Sequence, residues 1–272
     1  NPTAAMDDPA NQVVCNGDGT TAVNFTTTRS GGTTTYAWTN DNTSIGLGAS
    51  GTGNIAAFTA DNTGTSPEVA TITVTPTFTH DGQSCTGPQQ TFTITVNPTA
   101  QVDDPTDQVL CNGDGTTAVN FTTNRSGGTT TYAWSNDNTS IGLAASGTGN
   151  IAAFTADNTG TSPEVATITV TPTYSSGGQY CTRPPETFTI TVNPTAQVDD
   201  PADQVVCNGD GTTAVNFSTN RTGGTTTFAW TNDNTSIGLP ASGSGDIASF
   251  TADNTGTSPE VATITVTPTF TN

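Results

Sequence analysis

Five cysteines are the side chains best placed to do chemistry in this sequence, and their spacing is regular. Cys15, Cys111 and Cys207 recur every 96 residues, and Cys85 and Cys181 keep the same interval. Cys15 and Cys85 stand 70 apart, as do Cys111 and Cys181; on that spacing Cys207 needs a partner at position 277, beyond Asn272. Thiols in this pattern either pack as small apolar side chains or oxidise, and oxidation implies an extracytoplasmic compartment. Two pairings are open. Bridges can close within each copy, Cys15 with Cys85 and Cys111 with Cys181, or cross the junctions, Cys85 with Cys111 and Cys181 with Cys207. The segment Thr91 to Val96 reads as a last strand, which at ~3.3 Å per residue carries the chain roughly 20 Å from Cys85 before the next copy begins. That places Cys85 at the end where Cys15 enters and favours bridges within copies, each worth about 4 kcal/mol for such a loop.

Other reactive groups are sparse. His80 is the only histidine, and Ser176 replaces it in the second copy, so no histidine chemistry belongs to the repeat. Adjacent carboxylates recur as Asp7 and Asp8, Asp103 and Asp104, and Asp199 and Asp200. Neighbours on an extended strand point to opposite faces and cannot flank one bond as a glycosidase pair must. No catalytic, cofactor-binding or metal-ligating residue is assigned, and the chain reads as a non-enzyme. Calcium at the junctions is the better use for the acids, because Asp103, Asp104, Asp107 and Asp114 gather near the start of the second copy. None of "VDDP", "NGDGT" or "NDNTS" completes an EF-hand spacing, and the competing role is that of solvated turn and cap residues. "GASGTGN" has no following helix to set a dipole behind a phosphate, so it is a turn. Arg29, Arg125 and Arg221 are the one basic position kept in every copy. Each is expected either to bridge to a carboxylate of an adjacent domain or a neighbouring chain, or to lie on the surface beside its turn.

Composition excludes several partners. Acidic residues number 23 against four arginines and no lysine, for a formal net charge of −19. Such a surface repels nucleic acid and anionic lipid. Lacking lysine, the segment cannot form Lys–Asn isopeptide crosslinks. No apolar run reaches the roughly 18 to 20 residues needed to cross a bilayer.

The elements that must position these groups are strands. The opening NPTA of each copy, at Asn1, Asn97 and Asn193, sets three repeats: 1–96, 97–192 and 193–272. The last stops before its second cysteine and last strand, as an excerpt of a longer repeat protein would. A period of this length describes a string of small domains and not a solenoid of short coils. Alternation with period two dominates: in "EVATITVTPTF", Ala70, Ile72, Val74 and Phe78 share one face and the threonines the other. "NGDG", "SGG", "SGTGN" and "DNTGTSP" supply the turns. About seven strands per copy argue for an all-β Greek-key sandwich of the immunoglobulin kind, with Trp38, Trp134 and Trp230 as the large central core residues. Pro76, inside the longest strand, marks the point where that strand leaves a partner. Threonine here is a strand former on a wetted face rather than an ice-binding lattice.

These residues also carry a resemblance. "VCNGDGT" (14–20), "YAWTND" (36–41), "IGL" (45–47), "ATITVTP" (70–76), Cys85 and "FTITVNP" (92–98) are together similar to the PKD-like, immunoglobulin-like repeats strung in tandem in very large surface proteins of Bacteroidota, many exported by type IX secretion. In place of the acidic "DFGDG" turn of the better-known PKD domain stand Thr39, Asn40, Asp41 and Asn42. The resemblance implies an extracellular, cell-surface fibre or adhesin in which these copies are stiff spacers. Short proline-bearing joints suit a rod, and near-identical copies suit lateral association of like chains. The alternative is a multivalent module binding glycan or protein.

Overall fold

The computed structural model describes residues 1–272 and is all-β. In the first copy the strands are β1 (Gln12–Cys15), β2 (Thr33–Asn40), β3 (Ser50–Thr52), β4 (Glu68–His80), β5 (Gln83–Thr86) and β6 (Gln90–Asn97). The second copy repeats them as β7 (Gln108–Cys111), β8 (Thr129–Asn136), β9 (Ser146–Thr148), β10 (Glu164–Ser176), β11 (Gln179–Thr182) and β12 (Glu186–Asn193). The third supplies β13 (Thr225–Asn232), β14 (Ser242–Ser244) and β15 (Ile264–Thr271).

Each complete copy is a β-sandwich with one full and one ragged layer. The full sheet runs β1-β6-β4-β2-β3, with β5 paired to β4 beyond the end of β6. The opposing layer is irregular chain joined by single bridges, Gly19 to Thr59 and Val23 to Ile55. Alternation on β4 and β6 buries Ala70, Ile72, Val74, Phe92, Ile94 and Val96 against Val23, Phe25, Ile45, Leu47, Ile55 and Ala60 from the other layer and its connecting turns. The centre is thus aliphatic. Trp38 lies at the margin, half-buried, with its ring flat over Gly51 of β3. A Cβ at Gly51 would stand 2.3 Å from Trp38 Cζ2, so β3 approaches β2 closely because that residue is glycine. Trp38 and Trp134 are therefore clamps between two strands and not the central core residues expected from their size, whereas Trp230 is buried with Leu239 and Ile247 in the third copy.

Pro76 falls where expected. On one side β4 pairs β6 from Glu68 to Val74, and on the other stretch it pairs β5 from Thr77 to His80. Pro76 sits between, where no ladder hydrogen bond needs its missing N–H.

The most consequential feature is the direction of β1. It runs parallel to β6, with Cys15 level with Asn97. The chain enters each copy at one pole, crosses its full length in extended form, and only then reaches the first cysteine.

Candidate functional site: the joint between copies

The poles of each copy are set by its longest strand. At the trailing pole, Glu68 pairs with Val96 and Cys15 with Asn97; at the leading pole, Phe78 pairs with Cys85. About ten residues of strand, roughly 33 Å, separate these levels. A disulfide needs its Cα atoms within about 7 Å, so Cys15 and Cys85 cannot meet. The expected bridges Cys15–Cys85 and Cys111–Cys181 are absent, and so are the junction-crossing alternatives. Instead Cys15 bonds Cys181, with Cα atoms 5.5 Å apart and 166 residues between them in sequence. Cys85, Cys111 and Cys207 are free thiols. Cys85 lies at the leading pole, as the course of the last strand implies, but the parallel β1 delivers Cys15 to the opposite pole.

The bond closes a joint built from both copies. At its centre Cys181 packs with Ala100 and Tyr174, all essentially inaccessible, and Cys15 lies against them. The β10–β11 hairpin of the second copy reaches back to the first: Gln179 Nε2 donates to Val13 O at 3.0 Å, and Gly177 contacts the Val13 side chain. The chain crossing the joint has no slack. Asn97 ends β6, yet its side-chain amide donates to Ser176 O at 2.9 Å, and Asn16 Nδ2 donates to Thr99 Oγ1 at 3.0 Å.

Arg125 forms the second fastening. Its Nε donates to Thr99 O at 2.8 Å and its Nη1 to Gly64 O in the preceding copy at 2.9 Å. Beside it the Ser126 amide donates to Thr65 O, and Gly127, at φ +74°, lies against Pro67. Arg221 repeats the pattern at the next joint, donating to Thr195 O at 2.7 Å and Gly160 O at 3.1 Å. Arg125 and Arg221 bridge adjacent copies, but to backbone carbonyls, which suit the several donors of the planar guanidinium; Arg29 is exposed beside its turn, its backbone N–H donating to Thr27 Oγ1. Asn62 and Asn158, read from sequence only as turn residues, are buried beneath this site. Asn62 Nδ2 donates to Val96 O and Ser66 O, and its backbone N–H donates to Asn16 Oδ1, tying three segments at the trailing pole. A lone Asn in a Gly-, Ser- and Thr-rich turn gives no signal of burial.

Of the acids near the second copy's start, Asp103, Asp107 and Asp114 accept local donors, whereas Asp104 is exposed and makes no side-chain hydrogen bond. Thr122 Oγ1 and Gln101 Nε2 donate to Asp103, the Thr189 amide donates to Asp107, and the Cys111 amide donates to Asp114. No group of three or more acidic, histidine or cysteine side chains converges. Thr122 first and Gln101 second hold the Asp103 carboxyl below its ordinary range, and Ser218 and Gln197 do the same for Asp199. Burial raises the Tyr174 phenol, whose hydroxyl donates to Ser126 O at 2.8 Å. His80 is exposed beside Asp81, at 3.2 Å. No helix is long and apolar enough to cross a membrane.

No protein-family model matches the sequence, and no curated protein matches it. Among solved structures, the chain is similar to human CDH23 EC21-23 at 15% identity and TM-score 0.39, covering 98% of this chain and 99% of that one. It is also similar to Drosophila N-cadherin EC1-4 at 13% identity and TM-score 0.31, covering 96% and 70% respectively. Human mucin-like protocadherin EC1-2 matches at 10% identity and TM-score 0.30, over 70% of this chain and 97% of that one.

Proposed function

We propose that the chain is a non-enzymatic structural segment of an extracellular, cell-surface fibre or adhesin, in which each copy is a stiff spacer. The observation that carries this reading is the joint. Tandem domains usually move relative to one another unless the interface between them is extensive. Here successive copies share a disulfide, an arginine fork to backbone carbonyls and a linker whose side chains are themselves tied down. Such fastening suits transmission of position and force, and a disulfide suits an oxidising compartment. Absence of lysine leaves disulfides as the covalent reinforcement. The resemblance to repeats of large Bacteroidota surface proteins, and export by type IX secretion, belong to this proposal, as does side-by-side association of identical chains into a bundle. A calcium-independent joint is part of this reading, supported by the donors that Asp103, Asp107 and Asp114 already accept, and chelation is expected to leave the melting temperature unchanged.

A multivalent binder is the competing reading. It is disfavoured by the recurring aromatic residues, since Phe25 and Tyr36 pack on each other with ring centroids 5.4 Å apart, while the exposed Tyr180 is replaced by Ser84 in the first copy. Solution scattering and glycan-array binding of the oxidised 272-residue chain decide between them. The spacer reading expects a rod-like profile that Arg125→Ala and Cys15→Ser together loosen, and no saturable sugar binding. A freely jointed profile in the oxidised chain, or saturable binding to one glycan class, overturns it.

A further inference from the structure

We infer that Cys85 and Cys111 are unfilled halves of the same cross-link, and that in a continued array these bonds form a ladder that takes the cores out of the path of tension. Cys111 stands to the second copy as Cys15 stands to the first: it ends a strand parallel to β12, level with Asn193. Two residues earlier, Val109 is 64% exposed, whereas its counterpart Val13 is half-buried, its side chain facing Gly177 of the following copy and its carbonyl accepting from Gln179 Nε2. An exposed apolar residue beside an exposed thiol, at the place where the other joint seats a hairpin, identifies the missing occupant. In a continued array that occupant would be the hairpin following the third copy's longest strand, with a cysteine as far along the chain from Cys111 as Cys181 is from Cys15. Cys85 is the reciprocal half. It lies in a hairpin opposite Phe78, as Cys181 lies opposite Tyr174, and Asn1 Nδ2 donates to His80 O as Asn97 Nδ2 does to Ser176 O. In a continued array its partner would be the first cysteine of a preceding copy.

Each bond forms by exchange with a disulfide-bearing oxidant. One thiolate attacks a sulfur of the oxidant and releases its first thiol, then the second protein thiolate attacks the mixed disulfide and releases the other. Two protein thiols become one disulfide, and the oxidant is reduced to two thiols.

The mechanical consequence follows from connectivity and rests on the spacer reading only for its biological use. With every first cysteine bonded to the next copy's second, the shortest covalent route leaves the backbone at Cys15, re-enters at Cys181 and leaves again at Cys207. The stretch 181–207 already runs along β12 and the extended start of the third copy. The intervals 15–85 and 111–181, which hold β2 to β4 and β8 to β10, lie off the route and are shielded from load.

The test is an array of four complete copies, oxidised with glutathione. Peptide mapping without reduction is expected to give bonds 15–181, 111–277 and 207–373, with free thiols only at position 85 and at the first cysteine of the fourth copy. Bonds within copies and no free thiol overturn the inference, and bonds between chains at position 111 overturn the same-chain assignment. Pulled from its ends, the reduced array should extend about 1,200 Å further than the oxidised one, since roughly 330 residues at up to ~3.6 Å each come onto the load path. Stepwise lengthening of a correctly bonded oxidised array overturns the load bypass. Sugar binding would sink the spacer reading while leaving this bond pattern standing.

Discussion

Asn158 shows how much of the joint depends on single polar side chains. It repeats the role of Asn62, donating to Val192 O at 2.6 Å and to Ser162 O at 2.9 Å in a site only 3% exposed. Asn158→Ala leaves those carbonyls without a donor and is expected to cost about 1–3 kcal/mol in urea unfolding. Acid is expected to destabilise the chain for a related reason. Asp103 and Asp199 have lowered folded-state pKa values, so as pH falls the unfolded state takes up protons first. The stability they supply is present above the ordinary carboxylate range and is lost as pH drops through their folded values. A Thr122→Val and Ser218→Ala double variant removes the first-ranked donor from each, and its thermal midpoint should fall less on acidification below about pH 4.

Among the elements, the glycine of the short third strand is decisive. Gly147 of β9 lies under Trp134 as Gly51 lies under Trp38, and a Cβ there would stand 2.3 Å from the ring. Gly147→Ala should push the indole off β8 and cost about 1–3 kcal/mol, measured by chemical denaturation and tryptophan fluorescence. The strand alternation, the turn glycines and the break at Pro76 were legible in sequence because each is local: period two needs only neighbouring residues. The clamp role of tryptophan was not, since the glycine it covers lies 13 residues away in a strand of three residues. The course of β1 was hidden for the same reason. Its partner β6 comes at the far end of the copy, and nothing in "QVVC" says whether it pairs parallel or antiparallel. One signal was available: the 14 residues preceding Cys15 are enough, at ~3.3 Å each, to traverse a whole sandwich.

For the whole molecule, the first two copies behave as one covalent unit. A loop of 166 residues closed by Cys15 and Cys181 restricts the unfolded chain by about 5 kcal/mol. Cys15→Ser should forfeit up to that amount and uncouple the melting of the two copies in calorimetry. Cys85→Ser in the 272-residue chain should leave both stability and coupling unchanged, because Cys85 is a free thiol there. The repeat period was plain in the sequence; that the sulfur bridge ties neighbours together required the poles of the fold to be known. Mass mapping of the oxidised 272-residue chain without reduction tests this most directly. The account predicts a single linked pair, Cys15 with Cys181, and alkylatable thiols at Cys85, Cys111 and Cys207; peptides joining Cys15 to Cys85 and Cys111 to Cys181 would contradict it.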